Sequence, residues 1–273
     1  MNHAYYHLSA EELGQNAKLP ILKVGDSGEA FYELARMMAE EIERHNAAGE
    51  RTVLICPVGP VGQYPIFVRL VNERRISLKN CWFFNMDEYL TEEGQWIDSS
   101  DPLSFRGFMN RVVYSKIDPA LVMPESQRVF PDPNAPAKGD RLLAELGGAD
   151  ICFGGIGITG HLAFNEPQPA LTPAEFSTLP TRVLAISPET RATNAVGDLG
   201  GALEDMPHRC VTIGMRQILS AKKIRLAVFR DWHRAVCRRA AYGAVEAAFP
   251  VTLAQNHPDA LLIVNQVAAQ KPY

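Results

Sequence analysis

Residues 154 to 167 read Gly-Gly-Ile-Gly-Ile-Thr-Gly-His-Leu-Ala-Phe-Asn-Glu-Pro. His161 and Glu166 place an imidazole and a carboxylate on one short segment, and Gly154, Gly155, Gly157 and Gly160 remove the β-carbons that would hold a ligand off the backbone. An imidazole titrates near neutral pH and a carboxylate can orient it, so the pair suits proton transfer. A second acidic group, Asp87, closes the run Cys81-Trp82-Phe83-Phe84-Asn85-Met86 and is followed by Glu88 and Tyr89. The plainer alternatives are a surface histidine on a strand-to-loop turn and a strand-end aspartate that caps its loop. The density of glycine, histidine and Asn165-Glu166-Pro167 in one stretch favours function.

Such distant groups can meet only if the scaffold brings strand ends together. Phe31, Leu34, Ala35, Met38 and Ile42 fall at helical spacing behind Asp26-Ser27, a capping pair, which predicts an amphipathic helix over Phe31–Ile42. Thr52–Cys56 reads as a buried strand, Pro57–Pro65 as a Gly- and Pro-rich loop, and Ile66–Val71 as part of the next helix. A second strand is expected over Cys81–Met86, with Asp87 at its carboxyl end. Further on, helices are expected over Phe105–Tyr114 and Asp140–Leu146, separated by a proline-rich connection over Val122–Ala137. A strand over Asp150–Phe153 then leads into the glycine segment. Later strands are expected near Arg182–Ile186, Ile224–Phe229 and Ala260–Val264, and helices near Met215–Leu219 and Trp232–Ala248. This alternation predicts an α/β fold with a mostly parallel sheet covered on both faces, in which ligands bind at the carboxyl ends of strands.

The 273 residues are 47% apolar and 21% charged, ordinary for a globular chain, and no internal repeat or low-complexity linker divides them, so one domain over 1–273 is expected. A net charge of −4 provides no bulk attraction to nucleic acid or anionic lipid, so a small molecule is the expected partner. Cys56, Cys81, Cys152, Cys210 and Cys237 form no Cys-x-x-Cys pair and sit mostly in apolar runs, which points to reduced core residues; neither a metal nor a cofactor is expected. Met1–Leu19 is polar and lacks an apolar signal core, which makes cytoplasmic the expected location, with no membrane partner.

Phe84-Asn85-Met86-Asp87-Glu88-Tyr89 and the Gly154–Pro167 segment together resemble the glucosamine-6-phosphate deaminase (isomerase) family, which shares its fold with the 6-phosphogluconolactonases. Weaker agreement occurs at Thr181-Arg182-Val183, Thr190-Arg191-Ala192-Thr193-Asn194 and Val211-Thr212-Ile213-Gly214. The resemblance implies a three-layer α/β/α sandwich with a Rossmann-like sheet. It also implies a phosphorylated amino sugar, converted to a ketose phosphate with loss of ammonia. On this reading His161 opens the sugar ring, Glu166 orients and charge-stabilises it, and Asp87 moves a proton between carbons 2 and 1. Glu88 and Tyr89 support the turn without a chemical step. The substrate-binding set is Gly59, Gly62, Thr159, Gly160, Arg182 and Arg234. Family members are monomeric or hexameric, so a homo-oligomer is compatible with it.

The chain departs from the family in four places. Thr159 stands where an aspartate is usual, and the loop Pro57-Val58-Gly59-Pro60-Val61-Gly62-Gln63 has no Ser or Thr for a phosphate. Val196 stands where an arginine is common, and Arg234 where a phosphate-binding lysine is expected, with Arg182, Arg191 and Arg230 as basic residues able to compensate. A sugar lactonase, and a sensing module that binds a sugar phosphate without turnover, are the competing functions. The Asn85–Tyr89 motif favours the deaminase.

Overall fold

The computed structural model describes residues 3–273; Met1 and Asn2, which begin the polar N-terminal stretch, lie outside the described residues. Its strands are, in chain order, β1 Ile21–Val24, β2 Thr52–Cys56, β3 Cys81–Asn85, β4 Asp87–Leu90, β5 Arg128–Val129, β6 Ile151–Gly154, β7 Arg182–Ala185, β8 Arg209–Thr212, β9 Lys223–Val228 and β10 Ala260–Asn265. A parallel sheet takes seven of them in the order β1-β10-β9-β6-β2-β3-β5, and a small antiparallel sheet has the order β4-β8-β7.

Period-two geometry explains why the large sheet needs cover on both faces. Val53 and Ile55 of β2 enter one core while Leu54 and Cys56 enter the other. Cys152 opposes Ile151 and Phe153 in the same way, as Leu262 and Val264 oppose Ile263. The helices Ser27–Ala48 and Gln63–Arg74 fill one core, with Leu34, Met38, Ile42, Phe67 and Val71. Met215–Leu219 and His233–Tyr242 fill the other, with Met215, Ile218, Val236 and Cys237. The fold is therefore the three-layer α/β/α arrangement. Asp26 caps the Ser27–Ala48 helix by accepting from Glu29 N at 2.8 Å, and Gly49, with φ of 70°, ends it.

Several boundaries differ from expectation for identifiable reasons. The Cys81–Met86 strand stops at Asn85, and the chain then leaves the large sheet to pair Asp87–Leu90 with β8. Arg182–Ala185 joins that antiparallel sheet rather than the parallel one. Helix Gln63–Arg74 starts inside the expected loop, because Pro65 falls in its first turn, where the missing N–H costs little. Phe105–Tyr114 divides into an α-helical turn, Phe105–Met109, and a π-helical one, Asn110–Tyr114. The last long helix ends at Tyr242, since Gly243 follows. Among the described residues no helix is long and apolar enough to cross a membrane.

Candidate active site

The loops after β2, β3, β6 and β9 leave the sheet at its carboxyl end and surround a cavity of about 560 Å³. The cavity is lined by Gly59, Asp87, Gly157, His161, Thr190, Asn194, Asp198, Arg230 and His233, among others. Gly155 lets two of these loops touch, because a β-carbon there would lie 3.0 Å from the Gly59 carbonyl oxygen.

Asp87 and Glu88 are adjacent on β4, so their side chains take opposite faces. Glu88, fully buried, turns away from the cavity and accepts from the backbone N–H groups of Phe105 (3.0 Å) and Arg106 (2.9 Å) and from Ser104 Oγ (2.9 Å). It therefore anchors the start of the Phe105–Met109 turn and pairs with Arg106. Asp87 lines the cavity, 6% exposed. Burial, with the Glu88 carboxylate adding to it, pushes its carboxyl well above the usual range.

Strand β8 fixes the distance between Asp87 and the histidine segment. Asp87 pairs with Thr212 in the ladder, and Thr212 Oγ1 accepts from Phe164 N at 3.0 Å. Asn165 Nδ2 donates to the Ile213 carbonyl at 2.9 Å, while Ile213 N donates to Met86 O at 2.7 Å. His161 then reaches the cavity from a turn closed by Gly157 N donating to His161 O at 3.0 Å. Its ring covers Gly157, where a β-carbon would lie 1.9 Å from His161 Cε1.

A polar cluster stands behind the imidazole. Thr159 Oγ1 lies 2.9 Å from His161 Nδ1 and 3.0 Å from Glu166 Oε2, and Nδ1 lies 3.5 Å from that oxygen. Ser187 Oγ, 3.1 Å from Glu166 Oε1, and Thr190 Oγ1, 3.4 Å from His161 Nδ1, complete it from the start of the Pro188–Asp198 helix. Burial alone would raise the Glu166 carboxyl, but His161, Thr190 and Thr159 outweigh it and hold the group at about 2. Glu166 is therefore an ionised acceptor at neutral pH. Ser187 had no signal in the sequence beyond a helix-capping pattern, and Thr190 had only its place in the weakly agreeing run Thr190–Asn194.

The expected anion-binding residues are dispersed. Gly59 lines the cavity, but Gly62 packs under the Phe31 ring, 2.2 Å from where a β-carbon would sit. Gly160, at φ of 81°, serves the turn and the close approach of Phe249. Thr159 and Glu166 sit behind His161 rather than on the cavity wall. Arg182 donates from Nη1 to Asn165 Oδ1 at 2.8 Å, so it braces the histidine segment. Arg234 points away, donating from Nε to Val267 O at 3.1 Å, because one helical step turns it from the cavity-facing His233.

Besides His161, the basic groups on the wall are Arg230 and His233. Arg230 is the one Lys or Arg among the described lining residues, and it faces Asp198, whose carboxyl burial raises and Arg230 lowers. His233 supplies no charge. Burial drops it to about 3, and its Nδ1 accepts from Arg230 N (2.9 Å) and Phe229 N (3.2 Å), so its Nε2–H donates to Ile156 O at 3.0 Å. It ties the β9 loop to the β6 loop.

No family model matches the chain. It is, however, 30% identical over 254 residues to glucosamine-6-phosphate deaminase of Hahella chejuensis, covering 91% of this chain and 90% of that protein. It is also 34% identical over 217 residues to the enzyme of that name from Shewanella loihica, covering 78% and 75%. The chain belongs to the glucosamine-6-phosphate deaminase family. A solved monomeric glucosamine-6-phosphate deaminase superposes with a TM-score of 0.78 at 26% identity, over 91% of this chain and 98% of that one. The 6-phosphogluconolactonase of Trypanosoma brucei, at 16% identity and a TM-score of 0.65, shares the fold.

Proposed function

We propose that the protein converts glucosamine-6-phosphate, or a close analogue, to fructose-6-phosphate and ammonia. The observation that carries this reading is that Asp87 of β4 and His161 of the loop after β6 line one cavity while Glu166 backs the histidine. His161 takes the proton of the sugar's anomeric hydroxyl and returns it to the ring oxygen as the carbon–oxygen ring bond breaks. Glu166 offsets the transient imidazolium charge. Asp87, as carboxylate, removes the proton from carbon 2 of the open chain and delivers it to carbon 1, while the carbon 1 oxygen takes up the proton that the ammonium group gives up. Carbon 2 is left as an iminium, which water hydrolyses to the ketone and ammonia. The burial that raises the Asp87 carboxyl makes it a stronger base once ionised.

Arg230 holds the sugar's anionic end, aided by backbone amides of the β2 loop around Gly59. Phe31 supports placing it there, since its ring packs on Gly62 of that loop and stacks edge-on with Phe229, 4.9 Å between centroids. A cytoplasmic location is compatible with this substrate. The experiment is to offer glucosamine-6-phosphate and follow ammonia and ketose phosphate together. Turnover abolished by His161→Ala and Asp87→Asn supports the reading. Hydrolysis of a sugar lactone without ammonia, or ligand-induced thermal stabilisation without product, overturns it.

A further inference from the structure

A neutral imidazole carries its proton on one of two nitrogens, and at His161 the nearest hydroxyl, that of Thr159, bears most directly on which. Thr159 Oγ1 lies within hydrogen-bond distance of both His161 Nδ1 (2.9 Å) and Glu166 Oε2 (3.0 Å), yet a hydroxyl has one hydrogen to give. Glu166 is ionised and can only accept. If the hydroxyl turned toward Nδ1, the carboxylate would lose a donor and face a second lone pair across 3.5 Å. With the hydroxyl donating to Glu166, its lone pair accepts from Nδ1–H and every group has a complementary partner. Thr190 Oγ1, 3.4 Å from Nδ1, adds a further acceptor on the same edge.

We propose that Thr159 is a positioning residue whose hydroxyl, donating to Glu166 and accepting from His161 Nδ1–H, leaves the His161 Nε2 lone pair facing the cavity as the proton acceptor. Among the described residues Nδ1 is taken up by Thr159 and Glu166 while no protein group bonds Nε2, and the Nδ1–Cε1–Nε2 edge of the ring lies over Gly157, which lines the cavity. A carboxylate at position 159 would meet the imidazole with a second negative charge. Threonine instead relays one charge through a neutral group. The catalytic consequence rests on the deaminase reading, whereas the tautomer does not.

The test is nitrogen-15 NMR of the full chain labelled at histidine, with His161 assigned by its loss in His161→Gln, alongside ammonia-release kinetics. The wild type is expected to show the proton on Nδ1 and a lone pair on Nε2. Thr159→Val, nearly isosteric, should move the proton toward Nε2 and lower kcat on the order of tenfold at constant KM, and Thr159→Ser should restore both. A wild-type proton on Nε2, an unchanged tautomer in Thr159→Val, or a Ser variant that behaves like Val overturns the proposal. If no protein releases ammonia, the deaminase reading fails while the ring signals still decide the tautomer.

Discussion

Adding one carbon at Gly157 tests whether the placement of the His161 ring governs the chemistry. An alanine β-carbon would lie 1.9 Å from His161 Cε1 and 2.1 Å from Nε2, where ordinary contact begins at 3.4 Å. Packed interiors do not absorb such an overlap, so the ring must retreat by about 1.5 Å. Its Nδ1, itself 2.4 Å from that β-carbon, is held by Thr159 and Thr190, and the retreat distorts those contacts. A misplacement of about 1 Å in a reacting group costs on the order of a hundredfold in rate. Gly157 is not among the residues with positive φ, so alanine adds no backbone strain; overpacking alone lowers stability by about 1–3 kcal/mol. Steady-state ammonia release from glucosamine-6-phosphate should show kcat reduced about a hundredfold and KM nearly constant, with the melting temperature lower by roughly 2–10 °C. A folded Gly157→Ala enzyme with kcat within about threefold of wild type would refute the assignment of the ring as a proton carrier.

Asp87→Asn should abolish turnover and yet raise stability at neutral pH. The folded state raises this carboxyl, so its contribution to stability is greatest below the unfolded value, about 3.9, and declines as pH climbs through the folded one. Melting curves of the two proteins should converge in acid and separate, Asn above Asp, toward alkaline pH; the reverse order would sink the burial argument. Glu166→Gln has the opposite sign, because a carboxyl lowered to about 2 stabilises the fold above its ordinary value of 4.5 and loses that contribution as pH falls through about 2. Its deficit should therefore be present at neutral pH and shrink in strong acid, as chemical denaturation at several pH values would show. Arg230→Ala should raise KM for the phosphorylated sugar on the order of tenfold or more with a smaller effect on kcat, while Arg234→Ala leaves KM unchanged. Equal effects at the two positions would move the anion site elsewhere.

The parallel sheet was legible because strands such as Thr52–Cys56 and Ala260–Asn265 are buried on both faces and appear as continuous apolar runs. The antiparallel sheet was hidden. Asp87–Leu90 and Arg209–Thr212 are short and carry charge, and nothing local tells Met86 to be a crossing point between sheets. In the site, Asp87, His161 and Gly59 were singled out from motif and strand end, and all three line the cavity. Arg234 and Arg182 were misplaced because the direction of a long basic side chain depends on helical phase and on tertiary partners such as Val267 and Asn165. Arg230 was named only as one of three compensating charges. What distinguishes it is the loop after β9, and that appears only once the chain is folded.

Strand β8 has a consequence for how this scaffold can be altered. Asp87 is laddered to it and the segment bearing His161 is bonded to it, so the two groups share one mount. The loop Pro57–Gly62 and the Arg230 turn attach elsewhere on the rim, whereas the Pro188–Asp198 helix is tied to β4 by Asn194 Nδ2 donating to Tyr89 Oη at 3.0 Å. The first part of the rim can therefore be exchanged for another without retuning the distance between acid and base. A designer seeking new sugars should randomise that loop and that turn and leave Arg209–Thr212 untouched.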